Sequence, residues 1–136
     1  MKSMTSKARV LLIDDEEAFT SNLAMILTVR DYEVTAVHDG VSAVRAVEDG
    51  DFDVAILDLL MPGIDGIETL RQIKRKKPFL EVIMLTGHGS VETGVQGMHL
   101  GAFDYAMKPI DIGDLLEKIA DAYQRKLLQE QRSGKL

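Results

Sequence analysis

No cysteine occurs among the 136 residues. Disulfides, thiolate zinc sites and cysteine nucleophiles are therefore excluded. The three histidines, His38, His88 and His99, are scattered and lack thiolate companions, so no zinc site is expected. Long apolar runs are missing too. None approaches the roughly 20 residues that cross a bilayer, and the short polar stretch 1–9 carries no signal-peptide pattern. Positive charge is also scarce: 16 Lys and Arg stand against 22 Asp and Glu, a net charge of −6. No basic patch interleaved with aromatics, helix-turn-helix pattern or Walker loop is present, so direct nucleic-acid binding by this domain is not expected. The expected setting is cytoplasmic, without a membrane span. The output of the protein is not written in this stretch of chain.

The length suits one domain with a core of its own. Four apolar runs then stand out, each ending in a reactive polar residue. Val10, Leu11, Leu12 and Ile13 lead into Asp14 and Asp15. Val54, Ala55, Ile56 and Leu57 lead into Asp58. Val82, Ile83, Met84 and Leu85 lead into Thr86, and the run 103–107 leads into Lys108 and Pro109. Short apolar runs bounded by polar residues read as buried strands of a parallel sheet. Ligands of such sheets bind at the carboxyl ends of the strands. If the runs are neighbours, three carboxylates, a hydroxyl and an ammonium converge. Three acids that close together raise one another's pKa unless a cation sits among them. The pattern asks for a divalent metal and for an anionic ligand that the lysine can hold.

Strands are expected over 8–13, 33–37, 53–57, 81–85 and 103–107. Segments of helical period fill the intervals at 16–30, 41–49, 66–76, 90–100 and 112–129. Asp15 is expected to cap the first helix and Asp65 the third, with Met61, Pro62 and Gly63 forming a loop before it. The fourth helix contains Gly94 and Gly97, each costing roughly 1 kcal/mol relative to alanine. They mark either an unstable helix or close packing on the sheet. Alternating strands and helices imply right-handed crossovers. The expected fold is α/β: a doubly wound, flavodoxin-like sheet of five parallel strands in order 2-1-3-4-5, with helices on both faces. That order brings the four strand ends together. The domain is expected to span 8–123. Residues 124–136 are expected to extend the last helix, either as a linker or as a solvated end, with a frayed tail from 131.

These residues closely resemble the receiver domain of two-component response regulators. The resemblance is carried by Asp14-Asp15, by the stretch from Asp58 through Met61-Pro62-Gly63 to Gly66, by Thr86-Gly87-His88-Gly89, and by the stretch from Asp104 to Lys108-Pro109. Any one of these is weak; all four in order at strand ends are specific. The phrases around Thr86 and Lys108 are most similar to receivers that regulate transcription through an ATPase domain. The resemblance implies that Asp58 accepts a phosphoryl group from a phosphohistidine of a sensor kinase or phosphotransfer protein. Asp15, Asp58 and the Leu60 backbone carbonyl would bind Mg2+ directly, Mn2+ serving as a substitute, and Asp14 would hold a metal-bound water. Lys108 would pair with the phosphoryl group across a cis bond to Pro109. Thr86 would take a phosphoryl oxygen, and Tyr105 would then turn inward. That would alter the face made by the fourth helix, fifth strand and fifth helix, with phosphorylation-dependent homodimerisation as one use of it. Leu60 and His88 would flank the path of an attacking water. Leu60 cannot orient that water, so slow dephosphorylation is expected.

Plainer readings exist for each residue: helix caps for Asp14 and Asp15, a strand-end hydroxyl for Thr86, a solvated lysine for Lys108, edge-strand packing for Tyr105. Two other functions compete. One is a magnesium-dependent phosphatase with an aspartyl nucleophile, of the haloacid dehalogenase-like kind. Those enzymes need Asp-x-Asp after the first strand, whereas Asp51-Phe52-Asp53 precedes one here. The other is an interaction module that is never phosphorylated.

Overall fold

A computed structural model describes residues 8–60, 65–87 and 91–134. Five strands alternate with five helices along the chain: β1 Arg9–Ile13, α1 Glu17–Val29, β2 Glu33–Val37, α2 Gly40–Asp49, β3 Val54–Leu57, α3 Gly66–Lys76, β4 Glu81–Thr86, α4 Val91–His99, β5 Asp104–Met107 and α5 Ile112–Arg132. The strands form one parallel sheet in the order β2-β1-β3-β4-β5. The expected fold class and strand order hold.

Alternation along each strand builds two cores. Val10, Leu12, Val54, Ile56, Ile83 and Leu85 face one side, against Leu23 and Leu27 of α1 and Leu115, Ile119 and Ala122 of α5. Leu11, Ile13, Ala55, Leu57, Val82 and Met84 face the other, against Ala43 and Val47 of α2 and Leu70 and Ile73 of α3. The three central strands are buried on both faces, which is why they read as unbroken apolar runs. β2 lies at the edge and is largely exposed.

Register fixes where the strand ends fall. Ile13 pairs with Leu57, and Leu57 with Met84. Asp14 and Asp58 therefore leave the sheet side by side, with Thr86 next along; β4 runs one residue further than its apolar run and includes Thr86. Asp65 caps α3, its side chain accepting from the Glu68 N–H at 2.8 Å. Asp15 does not cap α1. The helix begins after Glu16 without a side-chain cap, and it is Asp14 Oδ1 that accepts the Glu16 N–H, at 2.9 Å. The burial of Asp14 at the strand end brings its carboxylate under that amide while Asp15 points to solvent.

Two further differences concern α4 and α5. The glycines of α4 are close-packing residues. A Cβ on Gly97 would lie 2.1 Å from Met84 Sδ, so no side chain fits there unless the Met84 side chain or the helix moves. α5 continues to Arg132, three residues beyond its expected end. Within 124–129, Gln124, Arg125 and Leu128 are exposed, but Lys126 is only 7% exposed and reaches back under the sheet to Asp53. The loop residues Met61, Pro62 and Gly63 lie outside the described residues, as does His88.

Candidate functional site

The crevice at the carboxyl ends of β1, β3 and β5 is built from the backbone outward. The Asp58 N–H donates to the Ile13 carbonyl at 2.9 Å, continuing the β1–β3 ladder one step past the strand. Asp58 Oδ1 accepts the Leu60 N–H at 3.1 Å, which turns the chain sharply after the carboxylate. The loop returns at Gly66, whose N–H donates to the Leu59 carbonyl at 3.2 Å. A Cβ at Gly66 would lie 2.4 Å from Leu59 Cα, so only glycine allows this closure.

Asp14, Asp15 and Asp58 each offer a carboxylate oxygen, and these oxygens lie within 4.8 Å of one another. Asp14 and Asp58 are buried; Asp15 is exposed. Lys108 enters from the far side. Its N–H donates to the Thr86 carbonyl at 2.9 Å, anchoring it to the end of β4, and its bond to Pro109 is cis as expected. Its Nζ donates to Asp14 Oδ2 at 2.5 Å and to Glu16 Oε1 at 3.0 Å, and stands 3.7 Å from Asp58 Oδ2. The same ammonium lies 4.1 Å from the centre of the Phe19 ring, a cation–π contact.

Charge is unbalanced here. Burial pushes the Asp14 carboxyl above the usual carboxylate range, against the hydrogen bonds from Lys108 and the Glu16 amide. Burial also works against the Lys108 charge, but its hydrogen bonds to Asp14 and Glu16 and the nearby Asp58 outweigh it, and its pKa stands above the ordinary lysine value. Both directions say the same thing: the crevice holds on to positive charge. Clustered carboxylates served by one ammonium suit a hard, oxygen-seeking cation.

The remaining expected residues sit around this group. Thr86 is fully buried beside it. Leu60 is 54% exposed at its rim, an apolar side chain facing water. Thr86 pairs with Met107 and Met84 with Tyr105, so Thr86 and Tyr105 stand on the same face of adjacent strands. Three contacts were not anticipated. Glu16 and Phe19 both hold Lys108, although Glu16 only extends an obvious acidic pair and Phe19 reads as a core residue of α1. His38 Nδ1 lies 3.0 Å from the Asp14 carbonyl, a bond that an isolated histidine in the sequence does not announce. Asp53, the last residue of the Asp-x-Asp pattern, is at the opposite end of the sheet, bonded to Arg9 and Lys126. It has no part in the crevice.

Comparison with known families decides the identity of this arrangement. Residues 10–120 match the response regulator receiver domain. The chain belongs to that family. Among curated relatives, the transcriptional regulatory protein TcrA of Mycobacterium tuberculosis is 39% identical over 114 residues, covering 84% of this chain and 45% of TcrA. The regulatory protein AtoC of Escherichia coli is 33% identical over 112 residues, covering 82% of this chain and 24% of AtoC. The receiver thus spans about half the length, or less, of these relatives. Among solved structures, a CheY-like receiver domain protein from Methanospirillum hungatei superposes with a TM-score of 0.88 at 31% identity, covering 91% of this chain and 99% of that one. NtrX from Brucella abortus, solved in complex with ADP, gives 0.86 at 32% identity, covering 93% of this receiver and 29% of NtrX.

Proposed function

We propose that this receiver is a phosphorylation-controlled switch whose acceptor is Asp58. The observation that carries the proposal is the setting of that carboxylate: buried at the end of β3, with an ammonium 3.7 Å from Oδ2 and two further acids within reach. A carboxylate oxygen attacks the phosphorus of a phosphohistidine on a sensor kinase or phosphotransfer protein. The phosphorus–nitrogen bond breaks, the imidazole leaves and takes a proton, and an acyl phosphate remains on Asp58. That anhydride is reactive, so the transfer is reversible.

Asp15, Asp58 and the Leu60 carbonyl would hold Mg2+, or Mn2+ in its place, with Asp14 holding a metal-bound water. The surplus of carboxylates fits such an ion, which when bound neutralises developing charge on the phosphoryl oxygens. Lys108 moves from Asp14 and Glu16 onto the phosphoryl group as a point charge. Thr86 donates its hydroxyl to a phosphoryl oxygen, and Tyr105 follows by turning inward, changing the face of α4, β5 and α5. Leu60 offers nothing to orient an attacking water, which supports a lifetime of minutes or longer for the phosphoryl group. His88 is assigned to the same path.

The receiver unit is assigned to 8–123, with 124–136 carrying α5 on as a linker. TcrA, named as a transcriptional regulatory protein, and NtrX, solved with ADP, support an output in transcription through an ATPase domain. Phosphorylation-dependent homodimerisation through the α4–β5–α5 face is a further use of the switch, and the cytoplasm its setting. Among the described residues, no helix is long and apolar enough to cross a membrane. The domain is read as a switch and not as a turnover enzyme.

Incubation with acetyl phosphate and Mg2+, followed by intact mass measurement, tests this reading. A gain of about 80 Da, abolished by Asp58→Asn, is expected from acyl phosphate chemistry. No gain with any phosphodonor would favour a pure interaction module.

A further inference from the structure

Beyond this switch, and resting on it, is the question of what holds Tyr105 in place before any phosphoryl group arrives. The ring of Tyr105 lies directly on α4 at Gly94. A Cβ at Gly94 would be 3.0 Å from Cδ2, 3.1 Å from Cε2 and 3.3 Å from Cγ of that ring. All three contacts are tighter than ordinary van der Waals contact, so an added Cβ presses on the ring along its whole inner edge, from Cγ to Cε2, and the ring must give by a few tenths of an ångström. At the other end, the hydroxyl donates to Met107 Sδ at 3.4 Å. Tyr105 also helps to line an apolar cavity of about 550 Å³ with Val91, Val95, Met98 and His99. That cavity leaves room for movement beside the ring.

Gly94 is poorly explained by helix formation, since alanine would favour the helix by roughly 1 kcal/mol. Gly97 faces the core, where the buried Met84 side chain occupies the space of a Cβ. Gly94 faces the partly exposed Tyr105 ring instead. We propose that Gly94 is a positioning residue: its missing Cβ, with the sulfur of Met107, forms the seat in which Tyr105 rests while Asp58 is unmodified. Filling the seat shifts Tyr105 towards its other arrangement, and a ligand that favours that arrangement then binds more tightly.

The experiment uses the full chain labelled with 3-fluorotyrosine, Tyr105→Phe assigning the resonance against Tyr32 and Tyr123. Beryllofluoride with Mg2+ serves as the phosphoryl mimic. In Gly94→Ala without beryllofluoride, the Tyr105 fluorine resonance is expected to move part of the way to its position in the beryllofluoride-bound wild type. The beryllofluoride concentration at half-saturation should fall about fivefold, equivalent to about 1 kcal/mol. Met107→Leu keeps the apolar volume but removes the acceptor, and should move both readouts in the same direction by about twofold or less. A purely structural role for Gly94 would change melting behaviour and leave the resonance alone. An unmoved resonance with unchanged half-saturation overturns the seat, as does a shift away from the bound position with weaker binding. Failure of the wild type to respond to beryllofluoride, together with no mass gain from acetyl phosphate, would overturn the switch reading and the seat with it. A responsive wild type with a silent Gly94→Ala overturns the seat alone.

Discussion

The two ends of the sheet handle buried acid in opposite ways. At the amino end, Asp53 and Glu81 are buried, 3% and 0% exposed. Asp53 accepts the Arg9 amide at 2.7 Å, the Arg9 Nη2 at 3.1 Å and the Lys126 ammonium at 2.5 Å. Glu81 has Arg125 Nε at 3.0 Å and Lys74 Nζ at 3.9 Å. Each acid there has two cations near it, but only Asp53 is hydrogen-bonded to them; the Glu81 oxygens accept no hydrogen bond. At the carboxyl end, Asp14, Asp15, Glu16 and Asp58 gather around Lys108. Breaking a matched buried pair leaves a charge without its partner. Removing an acid from a crowded group relieves repulsion. The amino end therefore holds β1, β3, β4 and α5 together, while the carboxyl end keeps a demand for cations at the expense of stability.

The largest expected effect breaks the matched end. Lys126→Met should destabilise the domain by about 3 kcal/mol, because Asp53 stays buried with only Arg9 to answer it. Urea unfolding measures this; a loss below about 1 kcal/mol would mean that Arg9 alone suffices. Second comes the crowded end. Saturating Mg2+, at a hundred times its dissociation constant, should stabilise the wild type by about 2.7 kcal/mol through binding to the folded state. The stabilisation should be largely lost in Asp15→Asn and Asp58→Asn, as followed by thermal melting with and without EDTA. Third, Asp58→Asn should stabilise the metal-free protein by about 1 kcal/mol, the reverse of the effect at Lys126. Equal destabilisation by both substitutions would abolish the contrast between the two ends.

The smallest effect concerns pH. At Asp53, burial would raise the carboxyl pKa, but the hydrogen bonds from Arg9 and Lys126 outweigh it and hold the pKa below the usual range. Its stabilisation is present above the ordinary carboxylate pKa and is lost as pH falls through the lowered one. Burial raises the Glu81 pKa, despite Lys74 and Arg125. In the window between the ordinary and the raised value, the folded state binds a proton that the unfolded state lacks, so stability falls as pH rises. Glu81→Gln should remove that decline. Unfolding free energies collected across the window should have a steeper upward slope with pH in the variant; an unchanged slope would remove Glu81 from the balance.

The contrast between the ends also explains what the sequence could reveal. The carboxyl end was legible because parallel strands buried on both faces leave unbroken apolar runs, and each run points to the residue that follows it. Asp14, Asp58, Thr86 and Lys108 are found this way without any three-dimensional information. The amino end was not. Arg9 reads as part of a polar leader and Lys126 as part of a linker or a solvated helix end, because nothing local says that α5 returns beneath β3. Asp53 and Glu81 read only as the polar first residues of their strands. Their setting follows from the pairing of β1 with β3, which joins Arg9 to Asp53 across 44 positions, and from the stacking of α5 on the sheet, which joins Lys126 to Asp53 across 73. The grip of Glu16 and Phe19 on Lys108 was hidden for the same reason, being set by side-chain reach across 92 residues in the case of Glu16.

Lys108 has three N–H bonds to give. Two are already given, to Asp14 and Glu16, and Asp58 stands next in line. A phosphoryl oxygen arriving on Asp58 would find one N–H turned towards it and uncommitted, and would compete with Asp14 and Glu16 for the other two. On the proposed switch the ammonium would give up an acid as it takes the phosphoryl group, so that the number of hydrogen bonds it makes would change little. The free-energy difference between its two allegiances is then a small remainder between two well-bonded states. Small remainders of a few kcal/mol are what allow both states of a molecule to be reached and left again. An ammonium kept waiting in water, or locked on a single acid, would make the transition either feeble or permanent.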